Sequence, residues 1–246
     1  MDRSMYVAMT GATQTMRAQA EVAHNLANAD TVGFKAQMSA FQPLTVQGPG
    51  LATRVNGVAF GEGVDLRQGG QIDTGRTLDI AVQGNGWIAV QGADGTEGYT
   101  RAGDLRLTAD GMLTDARGDL VLGDGGPISV PQSTQVSIGS DGTISAIPMG
   151  QTPNTVSAVG RIKLVNPPTG DLSMGTDGLM HLAGGATANA DPAVSIKSGA
   201  LESSNVNPSK MLVQMIELSR QYELQVRGLK GADENAQAAT KLLQVT

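Results

Sequence analysis

The chain has 246 residues, a formal net charge of −6 and a pI near 4.9, so it lacks the basic face with which a nucleic-acid binder displaces phosphate counterions. It contains no cysteine, which excludes disulfides and thiolate metal sites. With 33 glycines and only 3 % aromatic residues, it calls for a turn-rich β region packed by aliphatic side chains.

The first element is a helix. Residues 1 to about 28 hold one Gly and no Pro, and Met5, Met9, Ala12, Met16, Gln19, Ala23 and Leu26 recur at spacings of four and three, a heptad stripe. Gly11 costs this helix about 1 kcal/mol relative to Ala. Asn28 to Gly33 reads as its end, with Gly33 suited to a left-handed turn. The apolar residues are spaced rather than continuous, so the segment lacks the apolar run of a cleaved secretory signal. No stretch approaches the roughly 18 apolar residues of a membrane span. The chain is expected either to stay in the cytosol or to leave by a route needing no cleaved signal.

Residues 36 to about 75 are rich in Gly and Gln and predict linkers or an irregular region. Period-two alternation follows: Leu78, Ile80 and Val82; Ile128 and Val130; Val136 and Ile138; Ile162 and Leu164. Between these runs stand Asp94-Gly95, Asp110-Gly111, Asp124-Gly125, Asp141-Gly142 and Asp177-Gly178, strong hairpin signals. They predict many short, mostly antiparallel strands. Residues 183–193 read as a loop.

The last helix is the clearest element. Asn207 is placed to cap it and Pro208 suits its first position. The stripe Met211, Met215, Leu218, Tyr222, Gln225, Leu229, Ala232, Ala236, Ala239 and Leu243 predicts a helix over 208–244, roughly 55 Å long at 1.5 Å per residue. Leu212, Ile216 and Val226 widen the face, while Gly228 and Gly231 weaken the middle. Burying each Met or Leu is worth about 1.5–3 kcal/mol, so this stripe needs a partner. The first helix is the partner within the chain, and because it is shorter, part of the longer stripe must find another molecule.

Chemistry is sparse. His24 and His181 stand in different elements, and no HExxH, GxSxG or phosphate-loop spacing occurs. Gly61-Glu62-Gly63 and Gly84-Asn85-Gly86 read as turns. The Asp-Gly loops each offer one carboxylate, too few for calcium. Asp104, Asp110, Asp115 and Asp119 are dense, but each fits a hairpin end. Neither catalytic residues nor a cofactor, metal or small-molecule substrate is expected.

Three stretches carry a resemblance. AHNLANADTVGFK (23–35), SGALESSNVNPSKMLVQMIELSRQYE (198–223), and the central DIAVQGNGWIAVQ (79–91) with YTRAGDLRLTADGMLTDARGDLVLG (99–123) resemble the signatures of the flagellar axial proteins, which include rod and hook subunits. The matches cover about a third of the chain. The sequence departs from the family at Trp87, where Phe is commoner, and at Asp30, where Ser or Thr is usual.

The resemblance implies an α+β fold in which long N- and C-terminal helices pair as a coiled-coil-like unit beside a central, mainly antiparallel β domain. The corresponding division is 1–32 with 203–246 as the helical assembly domain, 33–78 with 183–202 as a linker or irregular β connecting region, and 79–182 as the central β domain. It further implies a non-enzymatic subunit of the basal body, exported by the flagellar type III apparatus and assembling with itself and other rod subunits into a torque-transmitting tube that lines the export channel. Asn25, Asn28, Gly33 and Phe34 carry over as the helix-to-β turn. Rival readings are a distal-rod or hook-type member, a periplasmic β-domain hydrolase such as a muramidase, and a glycan-binding module. A muramidase needs a catalytic Glu in a helical domain, whereas Glu21, Glu202, Glu217, Glu223 and Glu234 belong to or flank the terminal helices. A glycan binder needs exposed aromatics, and the β region offers only Phe41, Phe60, Trp87 and Tyr99.

Overall fold

A computed structural model describes residues 3–45, 55–149 and 156–244. The fold is α+β: two terminal helices and a mostly antiparallel β region between them. Contacts group the chain into a helical unit, Met1–Ala29, Gln37–Asp65 and Val206–Thr246, and a β unit, Asp30–Ala36 and Leu66–Asn205.

The helical unit holds α1 (Arg3–Ala27), β1 (Gln37–Thr45), β2 (Val55–Val64) and α2 (Pro208–Gln244). β1 and β2 pair antiparallel, Gln37 opposite Val64, with a register shift between Ser39 and Ala40. The region expected to be linker or irregular thus contains a hairpin; residues 46–54 and the side chains of Phe41 and Phe60 lie outside the described residues. The face of α1 that is covered consists of Ala12, Thr15, Ala18, Val22 and Asn25, which recur at three and four residues. The Thr15 hydroxyl donates to Gly11 O at 2.9 Å, so it enters this face already satisfied. A Cβ on Gly11 would meet the Gln225 side chain at 3.0 Å, marking where α1 and α2 come close. α2 runs unbroken through Gly228 and Gly231.

Among the described residues the β unit contains sixteen short strands: β3 (Gln71–Asp73), β4 (Ile80–Gln83), β5 (Trp87–Gln91), β6 (Glu97–Thr100), β7 (Arg106–Leu107), β8 (Leu113–Thr114), β9 (Leu120–Gly123), β10 (Gly126–Pro127), β11 (Ser133–Ile138), β12 (Thr143–Pro148), β13 (Ser157–Arg161), β14 (Leu164–Val165), β15 (Leu172–Met174), β16 (Met180–Leu182), β17 (Ser195–Ser198) and β18 (Ala200–Glu202). The main sheet runs β15-β16-β6-β5-β9-β8-β7, with β10 on β9 and β14 on β5, and β11-β12-β13 form a second sheet. β4 pairs with β17 and β3 with β18, so within the stretch expected to be linker or irregular β, 195–198 and 200–202 are strand. Every named pairing is antiparallel.

Ile80, Val82, Ile88, Val90, Leu113, Val121, Ile144, Ile162 and Leu164 form the centre of one aliphatic core. Four of the five Asp-Gly signals put their glycine at positive φ, namely Gly95, Gly111, Gly142 and Gly178; at the fifth the turn falls one residue later, on Gly126. Asp94, Asp141 and Asp177 each accept a backbone N–H two residues on, the Asx turn that makes Asp useful there.

Ile88 is fully buried between β6 and β14. Ile88→Ala should destabilise the β unit by about 2–5 kcal/mol. Urea unfolding followed by the fluorescence of Trp87, the single tryptophan, checks this, and a loss below about 1 kcal/mol would place the centre of the core elsewhere.

Candidate functional site

The end of α1 is built by asparagines. Asn28 N–H donates to His24 O at 3.2 Å, and its Nδ2 to the same carbonyl at 2.9 Å. Asn25 is buried and grips Gln37: its Nδ2 donates to Gln37 O at 2.8 Å, and Gln37 N–H donates to Asn25 Oδ1 at 2.9 Å. An amide side chain here imitates a strand partner, so residues 26–36 form a loop closed at its base inside the helical unit.

The tip of that loop belongs to the β unit. Gly33 has φ +67°, and a Cβ there would stand 2.3 Å from Arg101 C and Ala102 N, so only glycine fits. Gly33 N–H donates to Glu202 O at 2.8 Å, and Asn205 N–H to Phe34 O at 3.3 Å. Phe34 itself is half-buried.

The Glu202 carboxylate sits next to this turn with 2 % of its side chain exposed. Lys35 Nζ meets Oε1 at 2.6 Å, Arg101 Nη1 meets Oε2 at 2.9 Å, and Gly69 N–H donates to Oε1 at 3.0 Å. Lys35 also donates to Arg67 O at 2.8 Å and Arg101 Nη2 to Gly84 O at 2.8 Å. The Arg101 guanidinium lies 5.4 Å from the centre of the Trp87 ring, within cation–π range. A Cβ on Gly69 would stand 1.9 Å from Ser203 O, so glycine lets the 66–70 segment lie against 203. Burial pushes the Glu202 carboxyl up; the hydrogen bonds from Lys35 and Gly69 and the charges of Arg101 and Lys35 outweigh it, and the group titrates below its ordinary range.

Asn205 completes the arrangement. Ala36 N–H donates to its Oδ1 at 2.8 Å, and its Nδ2 donates to Arg67 O at 3.0 Å. Two residues on, Asn207 caps α2, accepting from Lys210 N–H at 3.1 Å, and Pro208 is the first helical residue.

The expected stripe residues divide. On α2, Met211, Met215, Leu218, Tyr222 and Leu229 are half-buried and Ala232 is buried; the side chains of Ala236, Ala239 and Leu243 lie outside the described residues. On α1, Ala12 is buried and Met5 and Leu26 half-buried, but Met9 is 52 % exposed, Met16 55 % exposed, and Ala23 exposed. The covered face is rotated away from the methionines. Small Ala and Thr side chains let a helix approach closely, which Met at 9 and 16 would prevent. Tyr6, Leu212, Val213, Ile216 and Leu224 are also exposed.

Elsewhere, His181 is held by Asp177 at 2.9 Å and by Glu97 O at 3.1 Å. Tyr99 is pushed up to about 12 by burial, donates to Glu97 and accepts from Ala188 N–H at 2.7 Å. A cleft of about 330 Å³ lined by Val32, Phe34, Thr100, Asp104, Asp115 and Arg117 adjoins the turn. Burial, then the Asp115 charge, raises Asp104. Among the described residues no His, Cys, Asp and Glu side chains group as a metal site would.

Sequence reasoning missed Lys35, Glu202, Arg101 and Asn205. Their signal was present in position: Lys35 ends the first signature stretch, Arg101 stands in the central one, and Glu202 and Asn205 lie in the last.

Comparison with known proteins agrees with those stretches. The family described as flagella basal body rod protein matches residues 5–35, that described as flagellar hook protein FlgE/F/G D1 domain matches 81–146, and that described as flagellar basal body rod FlgEFG protein C-terminal matches 197–242. The flagellar basal-body rod protein FlgF of Salmonella typhimurium is 44 % identical over 253 residues, covering all of both chains. FlgF of Escherichia coli is 42 % identical over 252 residues with the same coverage. The flagellar basal-body rod protein FlgG of Bacillus subtilis is 30 % identical over 268 residues, covering 98 % of this chain and 99 % of its own.

Leaving Lys35 and Arg101 buried without their carboxylate should cost about 3–5 kcal/mol, so Glu202→Gln should lower the urea midpoint of the β unit sharply at pH 7. Because the folded-state carboxyl is depressed, its contribution is complete above the model-peptide value of 4.5 and is lost as pH falls through the lower folded value. Wild-type stability should therefore decline below about pH 4.5 more steeply than that of Glu202→Gln. Parallel acid profiles would show that Glu202 is not the group responsible.

Proposed function

We infer the role of this chain from the family to which it belongs, the flagellar basal-body rod proteins: it is a structural subunit of the bacterial flagellar basal-body rod. It works in the basal body, assembled with other rod proteins. The finer reading is that it is a proximal-rod subunit which polymerises through a helical assembly domain, residues 1–32 and 203–246. α1 and α2 pair in a coiled-coil-like manner in each subunit, and their remaining faces seat neighbouring subunits. The resulting tube transmits torque and encloses the channel for exported proteins. The subunit reaches it through the flagellar type III apparatus without a cleaved signal, and performs no catalysis.

One observation carries the assembly reading. Both helices keep apolar side chains in water: Tyr6, Met9 and Met16 on α1, and Leu212, Val213, Ile216 and Leu224 on α2. Residues 4–16 contain no charged side chain, so nothing opposes burying the outer face of α1. Covering each large apolar side chain in an assembly is worth about 1.5–3 kcal/mol, and leaving the whole set exposed invites aggregation. Exposed stripes on two helices of one subunit make heterologous contacts, which propagate helically when the rotation does not close.

Met9→Asp with Met16→Asp alters only side chains exposed in the single subunit. The purified variant should unfold at the wild-type urea midpoint, while cells carrying it should build no rods and fail to swim. Wild-type swimming would remove the outer face of α1 from the assembly contacts.

A further inference from the structure

The cleft of about 330 Å³ beside the Gly33 turn lies wholly inside the β unit, since every residue that lines it falls within 30–34 or 100–178. Its walls are apolar at Val32, Ala102 and Ala116, and three carboxylates, Asp30, Asp104 and Asp115, line it against one guanidinium, Arg117. That guanidinium is already committed: it meets Asp115 at 3.3 Å, Asp119 at 3.3 Å and Asp177 O at 3.2 Å. Asp115 is committed too, accepting from the backbone N–H groups of Arg117 and Asp119 at 2.9 and 3.0 Å. Asp104 is different. It is half-buried, its carboxylate meets its own backbone N–H, and among the described residues no cation pairs with it. Burial raises this carboxyl above its ordinary range and the Asp115 charge adds to the rise; its own N–H and the charges of Arg106 and Arg76 offset only part. A carboxylate held in this way costs the isolated unit free energy. Such a breach of the pairing rule is expected where a contact is made outside the fold.

We propose that this cleft seats an arginine side chain of a neighbouring polypeptide, with its head on Asp104 and its stem along Val32, Ala102 and Ala116. Three carboxylates against one committed guanidinium leave the cleft negative, so its occupant is cationic. Apolar walls suit the alkyl stem of a long basic side chain. A guanidinium is more weakly hydrated than an ammonium and forks onto a carboxylate with two bonds, so it enters a half-buried site at lower cost. Among the described residues no acidic or His side chains group as a metal site would, which favours a polypeptide's cation over a metal ion. That the neighbour is another rod subunit rests on the rod reading; the preference of the cleft does not.

The test is an amide-resolved NMR titration of the full chain with N-acetyl-arginine amide and with N-acetyl-citrulline amide, which has a similar shape and no charge. The arginine probe should shift the signals of Val32, Ala102 and Asp104 saturably, and the citrulline probe should leave them in place. Asp104→Asn should weaken the arginine probe about tenfold, the loss of one charge-assisted hydrogen bond. The same variant should unfold at a urea midpoint no lower than that of the parent, because no ion pair within the chain is broken; a purely structural Asp104 would lower it. Equal shifts with both probes, no shifts with either, undiminished binding in Asp104→Asn or a lowered midpoint would each overturn the proposal. No assembly takes part in the titration, so its failure would remove the cleft as a docking site and leave the rod reading standing, and a failure of the rod reading would leave the titration result standing.

Discussion

A carboxylate with almost none of its surface in water stays ionised only if opposite charges and N–H donors replace the water it has lost. Glu202 obtains this from three places far apart in sequence: Lys35 at the end of the α1 turn, Arg101 after β6, and the backbone of Gly69 before β3. Each donor constrains a segment. Gly33 must take its left-handed conformation to bring Lys35 round, Gly69 must lack a side chain to let 66–70 lie against Ser203, and Trp87 must offer its ring to the buried guanidinium. The segments 33–36, 66–70 and 202–205 are thereby gathered at one point of the β unit.

The fold was legible where local chemistry decides it. The cap at Asn207, the start at Pro208, the end of α1 before Gly33 and four of the five Asp-Gly turns follow from single residues and their backbone preferences. The alternating pairs Ile80 with Val82 and Ile162 with Leu164 sit in the core. What was illegible is non-local. β17 and β18 read only as linker or irregular β because four- and three-residue strands are too short for a period to appear; β4 and β3 supply their partners from more than a hundred residues away. The hairpin of β1 and β2 was hidden for the related reason that Gly and Gln carry little β preference.

The ionic cluster was illegible in a different way. A Lys, an Arg and a Glu are common surface residues, and only the pairing across 167 residues for Lys35 and 101 for Arg101 gives them meaning. The three lie inside the three stretches that carried the family resemblance. Those stretches share a physical task, meeting around one buried carboxylate, which composition and spacing taken singly do not reveal.

The α1 face shows how a heptad can mislead. A spacing of four and three selects one stripe at a period of 3.5, while a straight helix turns once in 3.6 residues, so neighbouring stripes compete over a long helix. Met9 and Met16 formed the more apolar stripe, yet the face of Ala12, Thr15, Ala18 and Val22 is the one covered. Hydrophobicity alone would have buried the methionines. Close approach favours the smaller side chains, with Gly11 at the contact and Thr15 satisfied by its own helix. A helix that spends its small residues on its partner in the chain keeps its large flexible ones outside. Methionine tolerates imperfectly matched neighbours because its unbranched side chain adapts, and that tolerance fits the proposed role of this face in seating another subunit.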